Sequence, residues 1–509
     1  MSNPRVLFIG LDAGERDLLL QWSEAGHLPH IKSLLDRGLR GEAEVIPGFG
    51  SGAMWPSFAT AVSPAKHGRY FGFSTAGGYS TAKRAQEIRS KPFWEVLSEQ
   101  GKKVAVINVP YARLSDSLNG LQVLDWAIHN PVESRPVSLP EQLADEVVGK
   151  YGDDPVGPCD RQGLGQSDFR IFIDRLCDRV QSKTDMALEM LDRDQWDLFA
   201  TVFDETHCVG HQTWHIHDHA HPDHDADTAA ALGDPMLKVY QAIDAGIGRL
   251  LEQAGDDTQI MLASITGMGA NYTANWILED MLRSYEGEPK SAGLSALSMV
   301  RGVWRTLPEG LRQSIKRGTG SAAEKTSAME RRQRAAFTLP HNDISGVVRV
   351  NLKGREPEGV IEPENYQSYL DGLVDYLKTF KNAETGEPLI KHVVEPRKFM
   401  TGKHLEDMPD LLLEWNRSAP IRIVESPKTG RLQNSYEGNR LGDHTVHGLL
   451  VMAGQSMGSG SLAEKASVMD LAPTLCAMLG VDMPGDLDGK VIAEAATSPS
   501  QAESEPALS

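Results

Sequence analysis

Short apolar runs recur along the chain, and amphipathic stretches with helical spacing lie between them. A near-continuous apolar run bounded by polar residues is typical of a strand that is buried on both faces of a parallel sheet. The runs that show this pattern most clearly are 5–12, 104–109, 198–202, 259–264 and 448–453. Their alternation with helical patterns predicts an α/β fold, with a doubly wound, mostly parallel sheet and helices on both faces.

Two segments depart from this alternation. Residues 287–338 are rich in Ser, Arg, Lys and Glu around an amphipathic stretch, which predicts a helical insertion or lid. Residues 494–509 contain few apolar side chains and predict a disordered tail. The expected organisation is therefore a discontinuous α/β core of residues 1–286 and 339–493, with one insertion and one tail.

Polar residues follow two of the predicted strands directly. Asp12 ends the first run, and the segment 203–218, FDETHCVGHQTWHIHD, follows the run 198–202. Open α/β sheets bind ligands at the carboxyl ends of their strands. If the second segment is helical, His207 and His211 lie on one face and can chelate one cation. Alternatively, the seven histidines between 207 and 224 form a polar loop with chance spacing, and Asp12 caps the next helix.

Composition narrows the function classes. The formal net charge of −19 argues against general binding to nucleic acid or anionic membranes. The four cysteines, Cys159, Cys177, Cys208 and Cys476, form no CxxC motif and are expected to be reduced core residues. No apolar run approaches the length of a membrane span. We expect a cytoplasmic, soluble protein without a nucleic-acid or membrane partner, with a homodimer as one expected assembly.

Several ordered stretches resemble the alkaline phosphatase superfamily, in its branch of type I phosphodiesterases and nucleotide pyrophosphatases. The resemblance extends from Val6 to about Val491. The stretches that carry it are LDAG (11–14), MWPSFATAVSPAKHGRYFGF (54–73), KPFWEVLSEQGKKVAVINVP (91–110), the HxxxH segment, VRVNLKGREPEG (348–359), DHTVHGLLVMAG (443–454) and MDLAPTLCAMLGVDMPGDLDGK (469–490). The resemblance implies an alkaline phosphatase-like fold and two metal ions about 4 Å apart that act on a transferred phosphoryl group.

The first metal of this family is expected on His207, His211 and His444. Here a histidine, His207, stands where the family has an aspartate. The resemblance therefore implies a site with three neutral imidazoles, which suits zinc and also iron or copper.

The second metal of the family takes the first-strand aspartate, a nucleophilic Thr or Ser, and an adjacent Asp-His pair. Asp12 and Ser51 match the first two positions, but Ile265 and Thr266 replace the pair. Isoleucine cannot ligate a metal, so we expect the second metal to be absent. Ser51 then lacks an activator and serves as a hydrogen-bond donor or a plain N-cap, while Asp12 is available as a general base.

Substrate contacts are expected from Thr266, Lys66 and His67. The last two lie in the loop after the Ser51 segment and could neutralise an anionic group, although loop packing explains them equally well.

The leading interpretation is a single-metal enzyme, with zinc as the expected ion, that hydrolyses or cleaves an anionic small molecule with metal-activated water. Three alternatives remain. The first is a two-metal phosphodiesterase or phosphatase with substituted ligands such as Asp443. The second is a three-histidine iron or copper enzyme in a biosynthetic pathway, and the third is a non-catalytic binding protein.

Overall fold

The computed structural model describes residues 5–71, 79, 88, 90–129, 131–157, 159, 164–287, 328–339, 344–433, 436, 438–455 and 457–496. Most of the predicted insertion and nearly all of the predicted tail lie outside these residues. Within the range 287–338, residues 328–333 are helical and a short strand follows them. No helix among the described residues combines the length and the apolar composition needed to cross a membrane.

The strands are, in chain order, β1 Arg5–Leu11, β2 Leu39–Glu44, β3 Val104–Ile107, β4 Gly120–Leu124, β5 Val137–Leu139, β6 Leu198–Phe203, β7 Thr258–Ser264, β8 Gly267–Ala270, β9 Ala336–Thr338, β10 Ser345–Val350, β11 Lys381–Asn382, β12 Ile390–Val394, β13 Leu411–Trp415, β14 Ile423–Ser426, β15 Gly430–Gln433, β16 Gly442–Thr445, β17 His447–Ala453, β18 Gly460–Ser461 and β19 Ala466–Ser467.

The α-helices are α1 Arg16–Glu24, α2 Pro29–Arg37, α3 Ser51–Thr60, α4 Pro64–His67, α5 Phe93–Glu99, α6 Leu143–Tyr151, α7 Gln166–Asp192, α8 Glu205–His217, α9 Ala226–Leu232, α10 Pro235–Ala254, α11 Asn275–Tyr285, α12 Tyr366–Leu377, α13 Leu471–Met478 and α14 Ala493–Ala496. Short 3-10 helices lie at Pro363–Asn365, Pro396–Lys398, Leu405–Asp407 and Val468–Asp470.

A ten-stranded sheet forms the centre of the first compact unit, which contains residues 1–70, 87–271 and 438–509. Its strand order is β18-β2-β17-β7-β1-β6-β3-β4-β5, with β19 beside β2. Five adjacent strands, β7, β1, β6, β3 and β4, are parallel to one another. Strand β17 is antiparallel to β7, and β5 is antiparallel to β4. The prediction of a mostly parallel sheet is confirmed, but the run 448–453 belongs to an antiparallel strand.

Apolar side chains cover both faces of this sheet. On one face, Leu7, Ile9 and Leu11 pack in a core with residues of α1, α2, α6, α7, α8 and α10. On the other face, Phe8 stacks on Phe58 of α3 with ring centroids 4.8 Å apart, and Phe58 packs against Phe93 of α5. This distribution follows from the alternation of side chains along β1, and it confirms the predicted helices on both faces.

The second compact unit contains residues 71–86 and 272–437. It has an antiparallel sheet of order β12-β13-β10-β9 and a smaller sheet of order β11-β14-β15. The helices α11 and α12 cover a separate core that includes Ile277, Leu373 and Leu413. Residues 339–437 were predicted to belong to the α/β core, but the described stretch 344–433 packs on its own antiparallel sheets and lies in this unit.

Candidate functional site

The candidate site lies where four strand ends of the first unit meet. Strands β1, β6 and β7 are parallel, so their carboxyl ends share one edge of the sheet. Strand β17 is antiparallel to β7, and its amino end therefore reaches the same edge. His207 and His211 follow β6 on α8, and His444 lies on β16 just before β17. This topology brings together residues that are more than 230 positions apart in the chain.

Close backbone approaches hold α8 against the strands that carry the third histidine. A Cβ on Gly442 would lie 2.1 Å from the carbonyl oxygen of Gly210, and a Cβ on Gly210 would lie 2.7 Å from the side chain of Met268. Gly442 must therefore be glycine, because a larger residue would push β16 away from the helix backbone, whereas a larger residue at Gly210 would require the Met268 side chain to shift. This explains why Gly210 is present inside a 13-residue helix.

The three predicted metal ligands form one buried cluster. The ring centroids are 4.4 Å apart for His207 and His211, and 4.9 Å apart for His444 and each of the other two rings. One nitrogen from each ring lies within 4.8 Å of the others. All three residues are at most 3% exposed. The structure thus brings together the trio that the sequence analysis proposed.

Hydrogen bonds at the outer ring atoms leave the inner nitrogens available as ligands. His211 Nδ1 donates to the carbonyl oxygen of Gly442 at 2.7 Å, so its Nε2 carries the lone pair in a neutral ring. Thr266 Oγ1 lies 3.3 Å from His444 Nδ1, while His444 Nε2 lies 3.2 Å from His211 Nε2. His207 Nδ1 is buried and has no hydrogen-bond partner among the described residues. An uncompensated buried nitrogen is costly, and such atoms mark places where an ion or a water molecule can bind.

The surroundings of His207 and His211 keep these two rings neutral. Burial, reinforced by the neighbouring histidines, lowers the pKa of His207 well below its usual value. Burial and the nearby Arg440 guanidinium lower the pKa of His211 in the same direction. Metal ligation requires a neutral imidazole, so both residues are already in the protonation state that a metal needs.

Asp12 lies at the carboxyl end of β1, at the same sheet edge. Its backbone N–H donates to Phe203 at 2.8 Å, and its Oδ1 accepts the indole N–H of Trp55 at 2.8 Å. Burial raises the pKa of Asp12 to about 7, a suitable value for a general base at neutral pH. The alternative role as a helix cap does not hold, because Glu15 caps α1.

The remaining predicted site residues have different surroundings. Helix α3 begins at Ser51 with Gly50 as its N-cap, but the Ser51 side chain lies outside the described part of the structure. Ile265 is completely buried. Thr266 is also completely buried, with its Oγ1 3.3 Å from His444 Nδ1, and its contact with substrate stays a prediction.

Lys66 and His67 are occupied by loop packing. The Lys66 ammonium pairs with Asp486 at 2.9 Å and Asp488 at 2.7 Å. His67 is buried, with Nε2 2.9 Å from Ser57 Oγ and Nδ1 accepting the backbone N–H of Arg69. These contacts agree with the alternative that loop packing explains both residues, and their binding to substrate stays a prediction.

A buried ionic cluster behind α8 was not predicted. Arg179 and Lys183 lie one turn apart on α7, so both point to the same side. Arg179 Nε donates to Glu205 at 2.8 Å, and Lys183 pairs with both Asp204 and Glu205. Asp204 also accepts the backbone N–H of His129. The cluster fixes the start of α8, two residues before His207.

Two further polar residues stand beside the histidine cluster. His129 packs on His207 with ring centroids 4.1 Å apart, and its Nε2 lies 3.4 Å from Arg440 Nη2. His129 lies after β4, a strand that the sequence analysis did not identify, so the sequence provided no reason to select it. The backbone near these strand ends adopts positive φ at Ala13, Asp125 and Ala127, a conformation that concentrates at functional sites.

The cysteines also differ from the prediction. Cys159 and Cys208 form a disulfide across 49 residues of sequence, whereas Cys177 and Cys476 are free thiols. All four were expected to be reduced. Sequence spacing gave no signal for this pair, because only the fold brings the Cys159 loop to α8.

Comparisons with known proteins agree with this architecture. The family model of type I phosphodiesterase / nucleotide pyrophosphatase matches residues 6–448. An inactive variant of murine ectonucleotide pyrophosphatase / phosphodiesterase 5, in complex with AMP, is similar in structure with a TM-score of 0.51 and 12% identity, over 97% of this chain and 99% of that one.

A second similar structure is phosphonoacetate hydrolase from Sinorhizobium meliloti 1021 in complex with phosphonoformate. Its TM-score is 0.52 at 13% identity, over 94% of this chain and 96% of the other. No curated protein sequence gives a significant match. At these sequence identities the structural matches support only the fold. The family model, which matches residues 6–448 of the sequence, supports the family assignment.

Proposed function

Because the chain belongs to the type I phosphodiesterase / nucleotide pyrophosphatase family, we propose that it is a metal-dependent hydrolase with a single catalytic ion. The ion would be a divalent transition metal, with zinc as the first choice, bound by His207, His211 and His444. The substrate would be an anionic small molecule. The observation that carries this proposal is the buried cluster of three imidazoles whose inner nitrogens lie within 4.8 Å of one another.

The residues around the cluster support one catalytic ion and not two. Ile265 offers no ligand atom, and Thr266 is already hydrogen-bonded to His444. Asp443, the substitute ligand considered for a two-metal enzyme, accepts the backbone N–H of His444 at 2.8 Å through its Oδ1, so it would have to ligate an ion through its buried Oδ2. In addition, one carboxylate oxygen of Asp12 accepts the Trp55 indole N–H. The family's second ion would therefore lack its Asp-His pair.

The protein groups suggest a division of roles. A bound zinc ion in such an environment supplies Lewis acidity and lowers the pKa of a bound water to about 7. Asp12 would accept a proton from the attacking nucleophile, since its raised pKa matches neutral pH. Thr266 would hold the His444 ring in its ligand orientation. Arg440, whose charge lies close to His207 and His211, would attract an anionic substrate.

The substrate class follows from charge. Three neutral imidazoles leave the double positive charge of the ion uncompensated, which favours an anion. Related proteins of similar structure were observed with AMP and with phosphonoformate. We therefore propose phosphate esters and phosphonates as the first compounds to test. A cytoplasmic location remains part of the proposal.

Metal retention after dialysis tests this function. Wild-type protein loaded with zinc in its disulfide form should retain one equivalent per chain. His211→Ala should retain none, because two imidazoles seldom hold a divalent ion tightly. His219→Ala is the matched control, since His219 lies in an exposed pair with His224 outside the cluster. Equal retention by the two variants would contradict the proposal.

Product analysis separates the chemical alternatives. Wild-type protein reconstituted with zinc, iron or copper is incubated with the phosphate esters and phosphonates. Hydrolysis products with zinc, lost in His211→Ala and kept in His219→Ala, support the proposed hydrolase. A reaction that requires iron or copper and changes the oxidation state of the substrate would support the three-histidine redox alternative instead.

A further inference from the structure

The cysteine pair lies beside a third ligand residue. Cys159 Sγ, Cys208 Sγ and one ring nitrogen of His129 lie within 4.8 Å of one another, and both cysteines are buried. Two sulfurs and one imidazole are a common donor set for zinc, with a fourth position left for water or another ligand. This group is separate from the three-histidine cluster, although His129 packs against His207.

We propose that reduction of the Cys159–Cys208 disulfide creates a second metal site, with these two cysteines and His129 as ligands. The reductant would be a cellular dithiol, which breaks the S–S bond, becomes a disulfide itself and leaves two cysteine thiols. Binding of a soft divalent ion such as zinc then releases both thiol protons to solvent and forms two metal–sulfur bonds. In the oxidised chain the same sulfurs are bonded to each other and cannot bind an ion.

The required rearrangement is small. Tetrahedral zinc with Zn–S bonds of about 2.3 Å places two sulfur ligands about 3.8 Å apart, whereas a disulfide holds them about 2.05 Å apart. The sulfurs must therefore separate by less than about 2 Å. Cys208 lies on α8, which the ionic cluster fixes, so the adjustment falls on Cys159.

The charges around the sulfurs are compatible with an ion. Arg179 Nη2 donates a hydrogen bond to Cys208 Sγ at 3.2 Å, which would stabilise a thiolate. Three cationic side chains, Arg179, Lys183 and the Arg440 beside His129, are opposed by three carboxylates, Asp154, Asp204 and Glu205. The surroundings therefore carry no net positive charge that would repel a divalent cation.

The proposed site gives α8 two kinds of ligand on adjacent residues. His207 faces the three-histidine cluster, and Cys208 faces His129 and Cys159. The second ion would therefore bind only when these two cysteines are reduced, and it would lie close to the ion of the three-histidine cluster. The inference does not depend on the proposed hydrolase function, because it uses none of the three histidines assigned to the catalytic ion.

Cobalt titration tests the proposal directly. Wild-type protein is oxidised, or reduced with a dithiol that is then removed anaerobically, and Co²⁺ is added to each form. The reduced form should bind one more ion per chain and develop the near-ultraviolet absorption of sulfur-to-cobalt charge transfer. Thiol counting should give four thiols in the reduced form and two in the oxidised form. Equal cobalt binding by both forms would overturn the proposal.

Variants assign the ligands. Cys159→Ser should lack the charge-transfer band after reduction, whereas Cys177→Ser, which changes a free thiol outside the group, should keep it. A band that persists in Cys159→Ser would also overturn the proposal. If Cys159→Ser does not fold, the comparison of the two wild-type forms decides. Failure of the hydrolase proposal would look different, since the three-histidine cluster contains no sulfur and cannot give this band.

Discussion

Removal of the Thr266 hydroxyl should weaken metal binding without abolishing it. Thr266 Oγ1 lies 3.3 Å from His444 Nδ1, and both side chains are completely buried. A single neutral hydrogen bond contributes about 0.5 to 1.5 kcal/mol. This distance is at the long end of the hydrogen-bond range, so the Thr266→Val variant should lose about twofold to tenfold in zinc affinity.

Competition with a chromophoric zinc chelator gives the dissociation constants for this test. Thr266→Ser keeps the hydroxyl and should bind zinc within about twofold of the wild type. The melting temperature of each metal-free variant shows whether the substitution disturbs folding. An unchanged affinity in Thr266→Val would refute the positioning role. A loss beyond about a hundredfold would show that the hydroxyl does more than orient His444.

Three further predictions follow from the surroundings of the site. Asp204→Ala should lower the free energy of unfolding by about 3 to 5 kcal/mol in denaturant titrations, because it removes a partner of the buried cations Arg179 and Lys183. Asp194→Ala, which breaks an exposed ion pair with Lys103, is the control and should have little effect. The pKa of Asp12 is raised from 3.8 to about 7, so the metal-free wild type should lose stability relative to Asp12→Asn as the pH rises from about 4 to 7. The loss should reach up to about 1.4 kcal/mol per pH unit in the free energy of unfolding. Curves of unfolding free energy against pH that run parallel for the two proteins would contradict this. Ser51→Ala should lower turnover about tenfold at most and His207→Ala far more, whereas a trapped phosphoserine at Ser51 would reveal a second activator.

The sequence predicted the parts of the site that depend on local pattern or on family motifs. The apolar run 5–12 located the end of β1 and hence Asp12 at the ligand-binding edge. The four-residue spacing of His207 and His211 predicted one helical face, and α8 has that geometry. His444 came from the family resemblance, and the antiparallel direction of β17 explains how it reaches the same edge.

Other features depend on contacts that no local pattern encodes. Arg179 and Lys183 lie on a 27-residue helix where charged residues normally face solvent, and only tertiary packing buries them against Asp204 and Glu205. The Cys159–Cys208 pair likewise depends on a loop folding back onto α8.

Domain limits were also difficult to predict. Strands such as β10 and β13 carry apolar runs like those of the central sheet, and the sequence does not show that they pair with each other instead.

An anomalous difference map at the zinc absorption edge would test the central claim most directly. The crystals should contain the disulfide form of the protein loaded with zinc. We predict one peak per chain, about 2.0 to 2.1 Å from one nitrogen each of His207, His211 and His444. A second peak bound by Asp12, or a map with no peak among the three imidazoles, would contradict the single-ion account.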